Sequence, residues 1–128
     1  MADEKAILIV DDDLTLLEMY QERFRKEGYI VIGASDGEEA LKKVQESKPA
    51  LVVLDVMMPK LNGIDVMRRL RSSDDTKDIP VIILTALVQE IDKLKDLMGP
   101  NDDYLVKSED MPKDVVNKVN SILKKKKD

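Results

Sequence analysis

The 128-residue chain predicts a doubly wound α/β fold, a parallel five-stranded sheet covered by five helices on its two faces. Two observations predict it. Five short strand-like runs alternate with segments of helical period along the whole chain. Three of those runs are apolar at every position, as strands covered on both faces must be.

The first run, Ala6 to Val10, leads into a helix whose stripe is Leu17, Tyr20 and Phe24, with Gly28 as its stop. Ile30 to Ala34 follows, more peripheral in composition. The second helix carries Gly37, Ala40, Leu41 and Val44 on one face; Ser35 with Glu38 reads as its capping box, and Pro49 closes it. The third run is Ala50 to Leu54, followed by a loop-like stretch from Val56 to Gly63 and a helix with Met67 and Leu70 inward. Val81 to Leu84 is the fourth run, and Leu87, Ile91, Leu94 and Met98 mark the helix after it. Tyr104 to Val106 is the fifth, again peripheral. Pro112 suits the first turn of a last helix striped by Val115, Val119 and Ile122. No repeat or linker divides the chain, so residues 1–128 are expected to form one domain.

Composition narrows the function. Hydrophobic residues are 43% and aromatics 3%, so the core is aliphatic. The net charge of −5 opposes direct binding to nucleic acid, whose phosphates are held by clustered Lys and Arg. Lys124 to Lys127 reads as a solvated helix end. With no Cys and no His, any bound metal must be hard and oxygen-ligated. No apolar run approaches the roughly 18 residues that span a bilayer, which leaves the cytoplasm as the expected location, with no membrane contact.

In an open parallel sheet, ligands bind beyond the carboxyl ends of the strands, where the strand order reverses. In the flavodoxin-like order 2-1-3-4-5, the first and third strands are neighbours there, which would bring Asp11, Asp12 and Asp55 together. Carboxylates sharing one pocket repel, and Mg2+ relieves that repulsion while keeping positions for phosphate oxygens. Thr85 and Lys107, closing the fourth and fifth strands, would add a hydroxyl and a positive charge for those oxygens. Each residue alone has a plainer reading. Asp13 is a helix cap, Thr85 a strand former and Lys107 a surface charge; Asp55 has no adjacent helix start to cap.

Four segments carry a resemblance: Ile7-Leu8-Ile9-Val10-Asp11-Asp12, Leu54-Asp55-Val56-Met57-Met58-Pro59 with Asn62-Gly63, Pro80 to Ala86, and Asp103-Tyr104-Leu105-Val106-Lys107. Together they resemble the response-regulator receiver domain of two-component signalling, over nearly the whole chain. The resemblance implies a phosphorelay regulator rather than an enzyme with a separate substrate, catalysing only its own phosphorylation and slow dephosphorylation. It implies Asp55 as phosphoacceptor and Mg2+, replaceable by Mn2+, on Asp11, Asp12, Asp55 and the Met57 carbonyl. Thr85 and Lys107 would hold phosphoryl oxygens. Thr85 and Tyr104 would switch the face built by the fourth helix, fifth strand and fifth helix. The implied partners are a sensor histidine kinase or phosphotransfer protein and a downstream effector, with a homodimer on phosphorylation left open.

There are departures from the pattern. Ser108 stands where receivers place a cis-proline, so either a trans bond with a shifted loop or local strain is expected, a non-proline cis bond costing about 2.5–4 kcal/mol. Pro100 is an extra stiff residue before the fifth strand. Met57 and Leu87 are apolar at positions that the resemblance links to phosphoryl lifetime. Asp11-Asp12-Asp13-Leu14-Thr15 also resembles the opening motif of haloacid-dehalogenase-like phosphatases, a reading that leaves Asp55 without a task. A same-fold binding module that has stopped using phosphate is the other alternative.

Overall fold

The computed structural model describes residues 6–56, 58, 61–85, 92, 94–99, 102–106 and 112–127. Five parallel strands lie in the order β2-β1-β3-β4-β5: β1 (Ala6–Val10), β2 (Ile30–Ala34), β3 (Leu51–Asp55), β4 (Val81–Thr85) and β5 (Asp103–Val106). Among the described residues there are four α-helices, α1 (Leu14–Lys26), α2 (Gly37–Ser47), α3 (Gly63–Arg71) and α4 (Pro112–Lys127). The helix predicted between β4 and β5 falls mostly outside the described residues. What is described there tightens into a 3-10 turn at Lys95–Leu97, where the Arg71 Nε donates to the Leu97 carbonyl at 3.0 Å.

The alternation of side chains along each strand sorts the core into two layers. Leu8, Val10, Val52, Leu54, Val81 and Ile83 pack with Val44, Val66, Met67 and Leu70 of α2 and α3. Ile7, Ile9, Leu51, Val53, Ile82 and Leu84 pack with Phe24 of α1 and Val119 of α4. Burial on both faces explains the continuously apolar inner strands, and the edge strands β2 and β5 are the half-exposed ones.

Local chemistry sets the helix ends. Gly28 at φ +96° is the left-handed residue that ends α1; its N–H donates to the Arg25 carbonyl and that of Tyr29 to the Phe24 carbonyl. This is a complete Schellman closure, and the Phe24 and Tyr29 rings meet edge to face across it at 5.9 Å. The capping box of α2 lies one residue later than Ser35 and Glu38. Asp36 is the N-cap, accepting the Glu39 N–H at 2.8 Å, and the Glu39 carboxylate accepts the Ser35 N–H at 2.8 Å. Asp36 is extended, so it, rather than Ser35, is the residue poised at the helix mouth.

Candidate functional site

The carboxyl edge of the sheet is built by register. Val10 pairs with Leu54, so the next residues along, Asp11 and Asp55, stand level on adjacent strands. Each ladder continues one step past this point, since Asp11 N–H donates to the Ala34 carbonyl at 3.1 Å and Val56 N–H to the Leu84 carbonyl at 3.1 Å. Two backbone positions are therefore clamped where the chain would otherwise turn away. Asp55 is the last residue of β3 and Thr85 of β4, one residue further than the apolar runs alone suggest, because the ladder and not hydrophobicity decides where a strand stops.

Asp11 is fully buried, Asp55 is 3% exposed and Asp12 lies at the surface. One carboxylate oxygen from each lies within 4.8 Å of the other two, a grouping that could hold a metal ion. Oxygens bound about 2.1 Å from one Mg2+ lie at most about 4.2 Å apart, so small side-chain adjustments close the set. The donors are all hard oxygens, the set that a small divalent cation such as Mg2+ takes. Asp13 does not join them. It caps α1, accepting the N–H groups of Thr15 and Leu16 at 3.0 and 3.2 Å, while its own N–H donates to Asp11 Oδ1 at 3.0 Å. The cap thus also orients one carboxylate of the cluster.

Thr85 is fully buried on the neighbouring strand, directly past Leu84, which pairs with Asp55. Val106 pairs with Thr85, and the following residue, Lys107, lies outside the described residues, as do Met57, Leu87, Pro100 and the Lys107–Ser108 bond. Tyr104 pairs with Ile83, two residues back along the same ladder, and its side chain is 41% exposed on the edge strand.

Two glycines were visible in the sequence only as small residues. At Gly63, which opens α3, an added Cβ would lie 2.7 Å from both the Asp55 carbonyl oxygen and the Val56 Cα. At Gly37, which opens α2, it would press into the Leu61 carbonyl oxygen and lie 2.9 Å from the Leu61 Cβ. A sequence signal existed for Gly63, a glycine right after the Asn62 cap, but none for the distance.

An acidic cup at the reversal point of a parallel sheet, with a buried hydroxyl on the adjoining strand, defines a class of phosphate- and cation-handling α/β domains. The response regulator receiver domain family model matches residues 7–120. The chain belongs to that family, whose members are signalling proteins of two-component systems. It is 45% identical over 121 residues to the alkaline phosphatase synthesis transcriptional regulatory protein PhoP of Bacillus subtilis, covering 94% of this chain and 49% of that protein. It is 40% identical over 122 residues to the DNA-binding response regulator MtrA of Mycobacterium leprae, covering 95% and 52%. The chain spans about half the length of these curated relatives. Among solved structures, the receiver domain of the Francisella response regulator 1452 superposes with a TM-score of 0.84 at 31% identity, covering 96% of this chain and 99% of that one. The chemotaxis response regulator CheY4 of Vibrio cholerae gives 0.83 at 26% identity, covering 93% and 98%. Family membership sets aside the phosphatase reading of Asp11 to Thr15, in keeping with Asp13 serving as a helix cap.

Proposed function

We propose that residues 1–128 form a single receiver domain in which Asp55 takes a phosphoryl group from a phosphohistidine of a sensor histidine kinase or phosphotransfer protein. The observation that carries this is the gathering of Asp11, Asp12 and Asp55 at the level where strand register ends, beside the buried Thr85. A carboxylate oxygen of Asp55 attacks phosphorus in line, the P–N bond breaks, and the histidine ring keeps the electron pair. Asp11, Asp12, Asp55 and the Met57 carbonyl would hold Mg2+, or Mn2+ in its place. When bound, the ion supplies positive charge against the phosphoryl oxygens. Thr85 and Lys107 take the remaining oxygens, so the chain's contribution is positioning and charge. It catalyses no reaction but its own phosphorylation and slow dephosphorylation.

Phosphorylation shifts the population between two packings. Thr85 moves toward the phosphoryl group and Tyr104 leaves its exposed position, reshaping the face of the segment after β4, strand β5 and helix α4. That face meets an effector protein or a second copy of the chain. We assign no nucleic-acid contact to these residues, whose net charge is −5, and we place them in the cytoplasm. No described helix is long and apolar enough to cross a membrane.

Intact-mass and peptide spectrometry after treatment with acetyl phosphate tests the assignment. One phosphoryl group should appear on Asp55 with Mg2+, and none with chelator or in Asp55→Asn. Label on Asp11, or an unlabelled wild type in Mg2+, refutes it.

A further inference from the structure

We infer that Gly37, at the first turn of α2, is a positioning residue for the cation site, acting through Leu61 and Gly63 on the backbone of Asp55. The inference rests on the function proposed above and adds a residue to it.

The loop between β3 and α3 runs from Val56 to Asn62, and the Gly63 N–H donates to the Val56 carbonyl at 2.9 Å, tying its two ends together. Its described apolar side chains turn inward: Val56 is 1% exposed, Met58 8%, and Leu61 packs against the core layer under α2 and α3. At one end of the loop, Gly63 admits the backbone of Asp55 and Val56. At the other, Gly37 admits the backbone of Leu61 so closely that a single added carbon cannot fit. No positive φ demands glycine at position 37; among the described glycines only Gly28 has one. The missing side chain is therefore a matter of space. The obstructing atoms are also backbone and Cβ atoms, not the end of a flexible side chain that could swing aside. Gly33 makes the contrast, since a Cβ there would meet only the Gln21 amide.

A Cβ at position 37 must push the Leu61 backbone away by on the order of 1 Å to reach van der Waals separation. Leu61 stands two residues before Gly63, whose backbone rests against the Asp55 carbonyl and Val56 Cα, so the displacement reaches the Asp55 backbone through contacts that leave no slack. The first residue of α2 thus sets, through Leu61 and Gly63, where the Asp55 backbone stands.

The test is Mg2+ titration of Gly37→Ala, followed by two readouts: the Mg2+-induced rise in melting temperature, and the rate of phosphorylation by acetyl phosphate across Mg2+ concentrations. Half-saturation should rise about tenfold in both, as expected for a partner of a ligand-bearing element, while the rate at saturating Mg2+ stays within about twofold of wild type. A purely structural role lowers the melting temperature without moving half-saturation. Val119→Ala, a core truncation under α4, supplies that comparison and should leave half-saturation unchanged. Leu61→Ala removes the abutting side chain without creating a clash and should raise half-saturation about threefold; it decides the matter if Gly37→Ala does not fold. Half-saturation equal to wild type in the folded variants overturns the inference. A wild type with no saturable response to Mg2+ overturns instead the function on which it rests.

Discussion

At the amino edge of the sheet, the Asp102 side chain is 2% exposed and bonded to the Arg71 guanidinium, to the Val81 N–H at 2.7 Å and to the Gly99 N–H at 2.6 Å. Arg71 in turn donates to the carbonyls of Lys77, Ile79 and Leu97 at 2.9, 2.9 and 3.0 Å. At the carboxyl edge, Asp11 and Asp55 are buried as deeply, but beside each other and Asp12. One end of β4 and β5 is thus cross-braced by an ion pair, and the other end of the sheet gathers three carboxylates into one group. Matched buried charge resists change, because removing either partner strands the other. Neighbouring carboxylates repel one another, and a divalent cation between them offsets that repulsion.

The largest effect that would sharpen this contrast is at the anchor. Arg71→Ala leaves the Asp102 carboxylate buried without its counter-ion and should cost about 3–5 kcal/mol in urea unfolding. The Mg2+ half-saturation of whatever remains folded should not change, and a shift there would break the separation of the two edges. Gly63→Ala comes next. Its Cβ meets backbone at 2.7 Å, so about 1–3 kcal/mol is lost to overpacking, measured by the same unfolding experiment. Asp55→Asn should show a smaller rise in melting temperature on adding Mg2+ than wild type shows, because one of the three carboxylates is gone. A rise equal to that of wild type would break the contrast between the two edges.

The smallest effect lies away from both edges. Burial, followed by the nearby Glu27 carboxylate, raises the Tyr29 phenol above its ordinary value, and its hydroxyl donates to Asn120 of α4. Above about pH 10 the folded state therefore keeps a proton that the unfolded chain has lost. The stabilisation is complete below that pH and declines as pH rises through the folded value. Tyr29→Phe should flatten this alkaline decline in thermal melts while leaving the neutral-pH melting temperature within a few degrees of wild type.

How much of this was legible beforehand follows from which interactions are local. The strands and helices were readable because periodicity is a one-dimensional signal, and even the edge positions of β2 and β5 showed in their mixed composition. The Asp11, Asp12 and Asp55 cluster was readable by a longer route, since a parallel sheet places strand ends together and strand order places the first beside the third. The one-residue shift of the α2 cap was not readable, because Ser35 and Asp36 are both good caps and only the backbone angles choose between them. Arg71 and Asp102 stand 31 residues apart with nothing in either neighbourhood to link them.

By itself the sequence determined the alternation of strand and helix, the aliphatic two-layer core, and a hard-oxygen chemistry forced by the lack of Cys and His. Tertiary structure alone decided which carboxylates face one another within 4.8 Å, which carboxylate is matched by an arginine, and which glycines are empty because another backbone passes there. The reason is that propensity and hydrophobic period act between near neighbours in the chain, whereas charge pairing and close approach depend on distances that exist only once the sheet has assembled.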